Sequence, residues 1–337
     1  MQLLGLVEAP DHVCCRYRLA AFRESWARSG HALDLLSWPR RCWDWPGLLA
    51  KVQQADVVIV QRKLPVQWQV SFLRRSAKRL VFDFDDAVFG RDSYATRGIA
   101  CARRERRFTA ICSASDAVIA GNSFLADHAA RWTNSSKVQV IPTCVNPDSY
   151  RLAHHRRRDQ GVQLVWVGSS STLQGLEAIR PLLEALGQYV PGLTLKLVCD
   201  RFLNLEHLPV ISVPWTKASE ADELADADIG ICWMPGDDWS RGKCGLKLLQ
   251  YMAAGLPVVA NRVGVHSEII RHGETGFLAD SAEEWQEAAR RLASDPELRR
   301  RMGAAGRLRL EADYSLTLGA AKWGEVLGDV LTRRAAA

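Results

Sequence analysis

Short apolar runs alternate with helix-length amphipathic stretches from one end of this 337-residue chain to the other. The runs fall at 3–7, 32–36, 57–61, 80–84, 117–120 and 138–141 in the first half, and at 163–167, 193–198, 210–213, 229–232, 257–260 and 276–279 in the second. Each is too short for a helix and mostly apolar, several at successive positions as at 57–60, which a strand tolerates when both of its faces are covered. The stretches between them are long enough for helices, as at 17–30, and this repetition predicts parallel sheets joined by helical crossovers. A chain of this length supports two such sheets, each with a core of its own. The expected class is therefore α/β, with two Rossmann-like, doubly wound domains.

The break between them falls in Ile141-Pro142-Thr143-Cys144-Val145-Asn146-Pro147-Asp148-Ser149-Tyr150, followed by the charged run 151–160. This places a first domain at 1–150 and a second at 151–315, with a last helical segment at 316–337. No stretch reaches the roughly twenty uncharged apolar residues that cross a bilayer. The N-terminus meets Glu8 after a few apolar residues and lacks a basic region, so it reads as a first strand and not as a secretory signal. Nine cysteines without ladder spacing read as reduced thiols of a cytoplasmic protein, with Cys14-Cys15 as packing residues. Residues 1–160 hold 25 Lys/Arg against 15 Asp/Glu, and residues 161–337 hold 19 against 23, so the net +6 conceals +10 and −4. The first half is the basic one, and the charge points to an anionic ligand, an anionic membrane surface or an ordinary solvated face. None of the recognised nucleic-acid modules appears, so nucleic acid is not expected as a partner.

The densest chemistry lies at 242–260. Gly242 and Gly245 let the backbone approach a ligand, Lys243 and Lys247 are spaced to share one helical face, and the N–H groups at the start of that helix would point at an anion. A diphosphate is the expected occupant. This stretch, with Asn261–Ile270 and His272-Gly273-Glu274-Thr275-Gly276-Phe277-Leu278 after it and Ala227–Pro235 before it, resembles the retaining family four glycosyltransferases of two-domain GT-B fold, also called glycosyl transferases group 1. The resemblance is specific across the C-terminal half and loose in the N-terminal half. It implies a cleft between two domains, a nucleotide sugar on the second, an acceptor on the first, and C-terminal helices that pack back across the first.

One departure stands out. Many family members carry two glutamates seven residues apart, and this chain has Gly242 and Gln250 at those places. Gln250 can bond ribose hydroxyls without charge. The resemblance gives Arg241, Gly242, Lys243, Cys244, Gly245, Leu246 and Gln250 donor-binding roles, with Lys247 stabilising the charge on the leaving diphosphate. Gly168-Ser169-Ser170-Ser171-Thr172, directly after a strand, reads as a second phosphate loop or as a helix cap made by Ser171 or Thr172. Trp215 and Thr216 lie where the family holds the nucleobase, although a core tryptophan is an equal reading. Asp237, Asp238 and Trp239 precede the lysine loop.

Asp83-Phe84-Asp85-Asp86 closes the fourth strand, where many family members place an active-site histidine. Asp85 or Asp86 is expected to act on the acceptor side, against a capping role for Asp86. Asp83, on the same strand face as Asp85, could pair with Arg16 or Arg18. The Asp-x-Asp spacing also suits a divalent ion, but the resemblance implies neutralisation by helix dipoles and protein cations, so no metal or other cofactor is expected. His128 and His266 are singled out without triad partners. The expected activity is transfer of a hexosyl or related sugar, with retention, to a glycan or lipid-linked acceptor at the inner face of the cytoplasmic membrane. The alternatives are a non-catalytic nucleotide-sugar-binding subunit and a phosphorylase or epimerase on the same scaffold.

Overall fold

The computed structural model describes residues 1–155 and 161–332; the end of the charged run, 156–160, and the tail 333–337 lie outside the described residues. The chain divides into two compact units. In the first, strands β1 (Gln2–Val7), β2 (Ala32–Ser37), β3 (Val57–Gln61), β4 (Leu80–Phe84), β5 (Ala117–Ala120) and β6 (Val138–Val140) form one sheet in the order β2-β1-β3-β4-β5-β6. In the second, β7 (Val162–Val167), β8 (Leu193–Cys199), β9 (Val210–Pro214), β10 (Ile229–Cys232), β11 (Val258–Ala260) and β12 (Gly276–Leu278) follow the order β12-β11-β10-β7-β8-β9. Every pairing is parallel. The apolar runs read from sequence are these strands, with ends differing by a residue or two.

Their composition follows from burial on both faces. In the first sheet Leu4, Leu6, Val58, Val60, Phe82 and Phe84 point to one core cluster. Leu3, Val57, Ile59, Val81 and Ile119, one residue out of phase, point to the other. The helix Leu316–Thr332 belongs to this second cluster: Trp323 is fully buried and meets Trp26 edge-on, with ring centroids 5.6 Å apart. Truncating such a tryptophan to alanine costs about 3–5 kcal/mol. The first unit thus comprises Met1–Cys144 and the segment from Leu316. The helix expected at 17–30 is broken into Val13–Arg18, a 3-10 turn at Ala20–Phe22 and Arg23–Arg28.

The domain reading kept 151–315 whole, and here the structure differs. Asp237–Cys244 groups with the first unit, leaving Val145–Gly236 and Gly245–Ser315 to the second. The cause is close packing. A Cβ on Gly242 would lie 2.7 Å from the Ala87 Cβ and 2.9 Å from its nitrogen, so only glycine lets the two backbones meet. Asn122 then fastens the segment, its Nδ2 donating to the carbonyls of Arg241 at 3.2 Å and Lys243 at 3.0 Å.

Candidate active site

In the first sheet β1 lies between β2 and β3, so the strand order reverses there, and open α/β sheets bind ligands outside the carboxyl ends of strands at such a reversal. Cys14, Arg62, Asp85 and Asp86 all follow strands at this end. Beneath them Asp83 is buried and held by Arg18, whose Nη2 donates to Oδ1 at 2.5 Å and Nε to Oδ2 at 3.3 Å. The remaining guanidinium nitrogen donates to the Ile141 carbonyl at 2.6 Å. Burial opposes the charge on Arg18, but Asp83 more than offsets it and holds the guanidinium above its ordinary range. Asp83 is therefore an anchor, which removes one of the two oxygen donors that the Asp-x-Asp metal reading needs.

Asp86 is held through both of its oxygens. Its Oδ2 accepts from Arg62 Nη2 at 2.5 Å and from Lys243 Nζ at 2.9 Å, and its Oδ1 accepts from the Ala87 N–H at 3.0 Å. Asp85 differs. Its nearest cation is Arg62 Nε at 3.5 Å, and its buried Oδ1 has no hydrogen-bond partner among the described residues. Cys14, which contacts Arg62 Nη1, is pushed up to about 12 by burial and then by Asp85, so it stays a neutral thiol.

Around this cluster the segment 237–244 is built from short-range contacts. Asp237 caps the helix Asp238–Arg241, accepting from the Ser240 N–H at 2.9 Å, and also accepts from Ser93 Oγ at 3.0 Å. Arg241 pairs with Asp238 at 3.2 Å and lies 4.5 Å from the Phe124 ring centroid. Lys243 packs on Trp239, 3.2 Å from its ring centroid. Cys244 is buried, and its thiol donates to the Asp85 carbonyl at 3.3 Å, so a donor contact by this residue would have to come from its backbone.

In the second unit the order reverses at β7, which lies between β8 and β10. Gly168–Thr172 follows β7. Ser169, and not Ser171 or Thr172, is the N-cap of the helix Ser170–Ala178, with Thr172 completing a capping box. The first helical N–H is already taken: Ser170 donates its N–H to Asp200 Oδ1 at 2.6 Å and its hydroxyl to Oδ2 at 2.8 Å. Those hydrogen bonds from Ser170 hold the Asp200 carboxyl below its usual range.

Gly245 adopts φ +68, and the helix Leu246–Ala253 starts there without a side-chain cap. This corrects the reading of Lys243 and Lys247 as neighbours on one helical face. The left-handed glycine turns the chain before the helix begins, so Lys243 stays outside it and pairs with Asp86, while Lys247 occupies the first turn. The Lys247 ammonium lies 5.1 Å from the Trp166 ring centroid. A Cβ on Gly168 would sit 2.3 Å from the same indole, so Trp166 links the glycine loop to Lys247. Gln250 is buried and donates to the Tyr150 hydroxyl at 3.2 Å. Trp215 is 39% exposed, its Nε1 donating to Glu220 Oε2 at 2.7 Å, and the Thr216 hydroxyl is shared with Ser219 at 2.7 Å.

Residues 234–309 match the family described as Glycosyl transferases group 1. A D-inositol 3-phosphate glycosyltransferase from Pseudarthrobacter chlorophenolicus is 31% identical over 199 residues, which are 52% of this chain and 46% of the relative. A GDP-mannose-dependent alpha-(1-6)-phosphatidylinositol monomannoside mannosyltransferase from Mycobacterium tuberculosis is 30% identical over 181 residues, 53% of this chain and 42% of the relative. The matches span less than half the length of these relatives. Among solved structures, Anabaena Alr3699/HepE in complex with UDP and glucose aligns over 97% of this chain and 99% of its own, with TM-score 0.70 and 16% identity. WaaG, a glycosyltransferase involved in lipopolysaccharide biosynthesis, aligns over 99% and 100%, with TM-score 0.64 and 16% identity. At such identity the likeness is one of fold. The fold is GT-B, and the chain resembles the glycosyl transferases group 1.

Within this GT-B chain the residues read from sequence fall into two groups. Asp85, Asp86, Arg241, Gly242, Lys243 and Cys244 belong to the first unit; Gly168–Ser171, Trp215, Thr216, Gly245, Leu246, Lys247 and Gln250 belong to the second. Arg62 was missed. The one available signal was a cation pair, Arg62-Lys63, directly after the buried strand β3.

Proposed function

We propose that this protein is a retaining glycosyltransferase that moves a sugar from a nucleoside diphosphate to a hydroxyl of a glycan or lipid-linked acceptor, with no metal or other cofactor. The observation that carries the reading is Lys247 on the first turn of an uncapped helix behind a left-handed glycine, inside the matched segment 234–309. A helix N-terminus and an ammonium suit a diphosphate in its ground state and better still as it departs with the electrons of the broken glycosidic bond. Gly168–Ser171 meets the same Trp166 indole at Gly168 and would line the diphosphate with the hydroxyls of Ser169 and Ser171, since the N–H groups of Gly168, Ser169 and Ser170 are engaged within the chain. Trp215 offers an indole face for the nucleobase. Gln250 is too buried to be counted among the ribose contacts.

Asp85 is the carboxylate proposed for the acceptor side, because Asp86 is tied to two cations and a backbone N–H while Asp85 Oδ1 has no hydrogen-bond partner among the described residues. It would orient the attacking hydroxyl and stabilise the positive charge that develops on the donor sugar. The acceptor is proposed to be anionic. A groove of about 600 Å³ outside the carboxyl ends of β1 and β2 is lined by Trp38 and by three cations, Arg40, Arg41 and Lys51, against two acids, Glu8 and Asp44. The two relatives named above act, by their names, on an inositol phosphate and a phosphatidylinositol mannoside. Among the described residues no helix is long and apolar enough to cross a membrane, so contact with an anionic membrane surface at its cytoplasmic face would be peripheral. The pathway would be the synthesis of a cell-surface polysaccharide or glycolipid.

The missing carboxylate at Gly242 favours a second reading, a nucleotide-sugar-binding subunit without catalysis. Hydrolysis of nucleotide sugars in the absence of acceptor separates the two. A transferase releases free nucleoside diphosphate slowly, and Asp85→Asn lowers that rate about 100-fold with donor affinity kept. Stabilisation by nucleoside diphosphates in a thermal-shift panel without any hydrolysis would favour the binding subunit. Neither stabilisation nor hydrolysis would overturn both readings.

A further inference from the structure

Arg62 is the only non-glycine residue among the described residues with positive φ, at +57. Left-handed backbone strains an arginine and not a glycine, and such strain persists where the side chain is needed. The position is determined by its surroundings. Arg62 is the first residue after β3, beside the reversal in strand order at β1, and its N–H extends the β3–β4 ladder by donating to the Asp83 carbonyl at 2.8 Å.

The left-handed turn sends the guanidinium across the carboxyl ends of the strands. Nη2 donates to Asp86 at 2.5 Å, Nε approaches Asp85 Oδ1 at 3.5 Å, and Nη1 meets the Cys14 thiol. Two carboxylates thus face two cations, Arg62 and Lys243, and Arg62 alone reaches both carboxylates. Its side chain remains 28% exposed, so the group is not a buried structural anchor of the kind Arg18 is. Lysine could supply the charge at this place but not the planar fork that spans the two acids.

We propose that Arg62 is a positioning residue for glycosyl transfer: its guanidinium fixes Asp86 with one nitrogen and aims Asp85 at the acceptor hydroxyl with another. This rests on the transferase reading given above. It adds that the left-handed turn at 62 exists to point the fork, so backbone strain and turnover are linked through one residue.

The test compares wild type, Arg62→Lys and Arg62→Gly by hydrolysis of UDP-, GDP- and ADP-sugars, by nucleoside diphosphate affinity and by melting temperature. Arg62→Lys should lose about 10- to 100-fold in turnover while donor affinity stays within twofold. Arg62→Gly relieves the backbone and should lose at least as much turnover, with partial recovery on adding millimolar guanidinium. Turnover within twofold of wild type in Arg62→Lys would overturn the proposal and leave the transferase reading intact. So would an Arg62→Gly defect that guanidinium does not mend and that tracks a fall in melting temperature. A wild type that neither binds nucleoside diphosphates nor hydrolyses any of the sugars would instead overturn the transferase reading, and the role of Arg62 with it.

Discussion

His266 is a neutral imidazole locked into the second unit, and its titration should dominate the acid sensitivity of that unit. The ring is fully buried, and its Nδ1 lies 2.9 Å from the Asn261 carbonyl. A carbonyl only accepts, so Nδ1 carries the proton and Nε2 is left as an acceptor facing the Cys232 thiol at 3.7 Å. Burial pushes that thiol up to about 11, which keeps the S–H available to donate. Burial likewise lowers His266 from 6.5 to about 4, against the pull of the Asn261 carbonyl and with help from Lys247. The unfolded chain therefore binds a proton between these values when the folded chain does not. Stability from this group is complete above about pH 6.5 and is lost as pH falls towards 4; lowering the imidazole from 6.5 to about 4 corresponds to about 3 kcal/mol. For a unit of this size that is roughly 6–12 °C in melting temperature. Urea unfolding at pH 7, 6, 5 and 4, followed by tryptophan fluorescence, measures it against His266→Gln. The variant keeps a donor for Asn261 and cannot titrate, so it should be less stable at pH 7 and lose most of that deficit by pH 4. Carboxylates that titrate in the same window cancel in the difference. Curves for the two proteins that stay parallel from pH 7 to 4 would refute the reasoning.

Lys247→Ala should weaken nucleoside diphosphate binding about 10- to 100-fold and leave nucleoside binding nearly unchanged, as read by calorimetry; equal losses would make the lysine structural. Gly245→Ala puts a Cβ 2.4 Å from Ile269 Cδ1 on a left-handed backbone, and should cost about 1–2 kcal/mol or more in urea unfolding. Arg18→Met leaves Asp83 buried without its partner and should cost about 3–5 kcal/mol. Transfer or hydrolysis should survive EDTA, and loss restored by Mn²⁺ would reinstate a metal at Asp85.

The strands were legible because nothing competes with the signal. Val57–Gln61 and Leu80–Phe84 are buried on both faces, and their short, mostly apolar runs suit a strand covered on both sides. Asp85 and Asp86 could be placed at a strand end for the same reason. What could not be read was how two acids in succession divide their work, since that depends on Arg62 and Lys243 arriving from distant parts of the chain. The turn at Arg62 had no sequence signal, because left-handed backbone is announced by glycine and seldom by arginine. The turn at Gly245 did have one. The four-residue spacing of Lys243 and Lys247 suggested a shared helical face, yet Gly245 between them adopts left-handed backbone readily, and the bend prevailed.

The Gly242 departure gains a physical cause from the same contacts. Family members that carry glutamate at the corresponding place need room for a side chain, and in this chain the Ala87 backbone fills that room. The Gly242 and Lys243 contacts are coupled. Ala87 follows Asp86, and Lys243 follows Gly242, so the contact that excludes a side chain at 242 also brings the Lys243 ammonium to the Asp86 carboxylate at 2.9 Å. A carboxylate is thus present beside the motif after all, but it comes from the end of β4 and is tied to a cation of the motif itself. The Lys243 ammonium is offset by Asp86, and Arg62 balances Asp85 across the same cluster. Gly242 and Lys243 are thus both placed by the loop that follows β4, the one by the Ala87 backbone and the other by the Asp86 carboxylate.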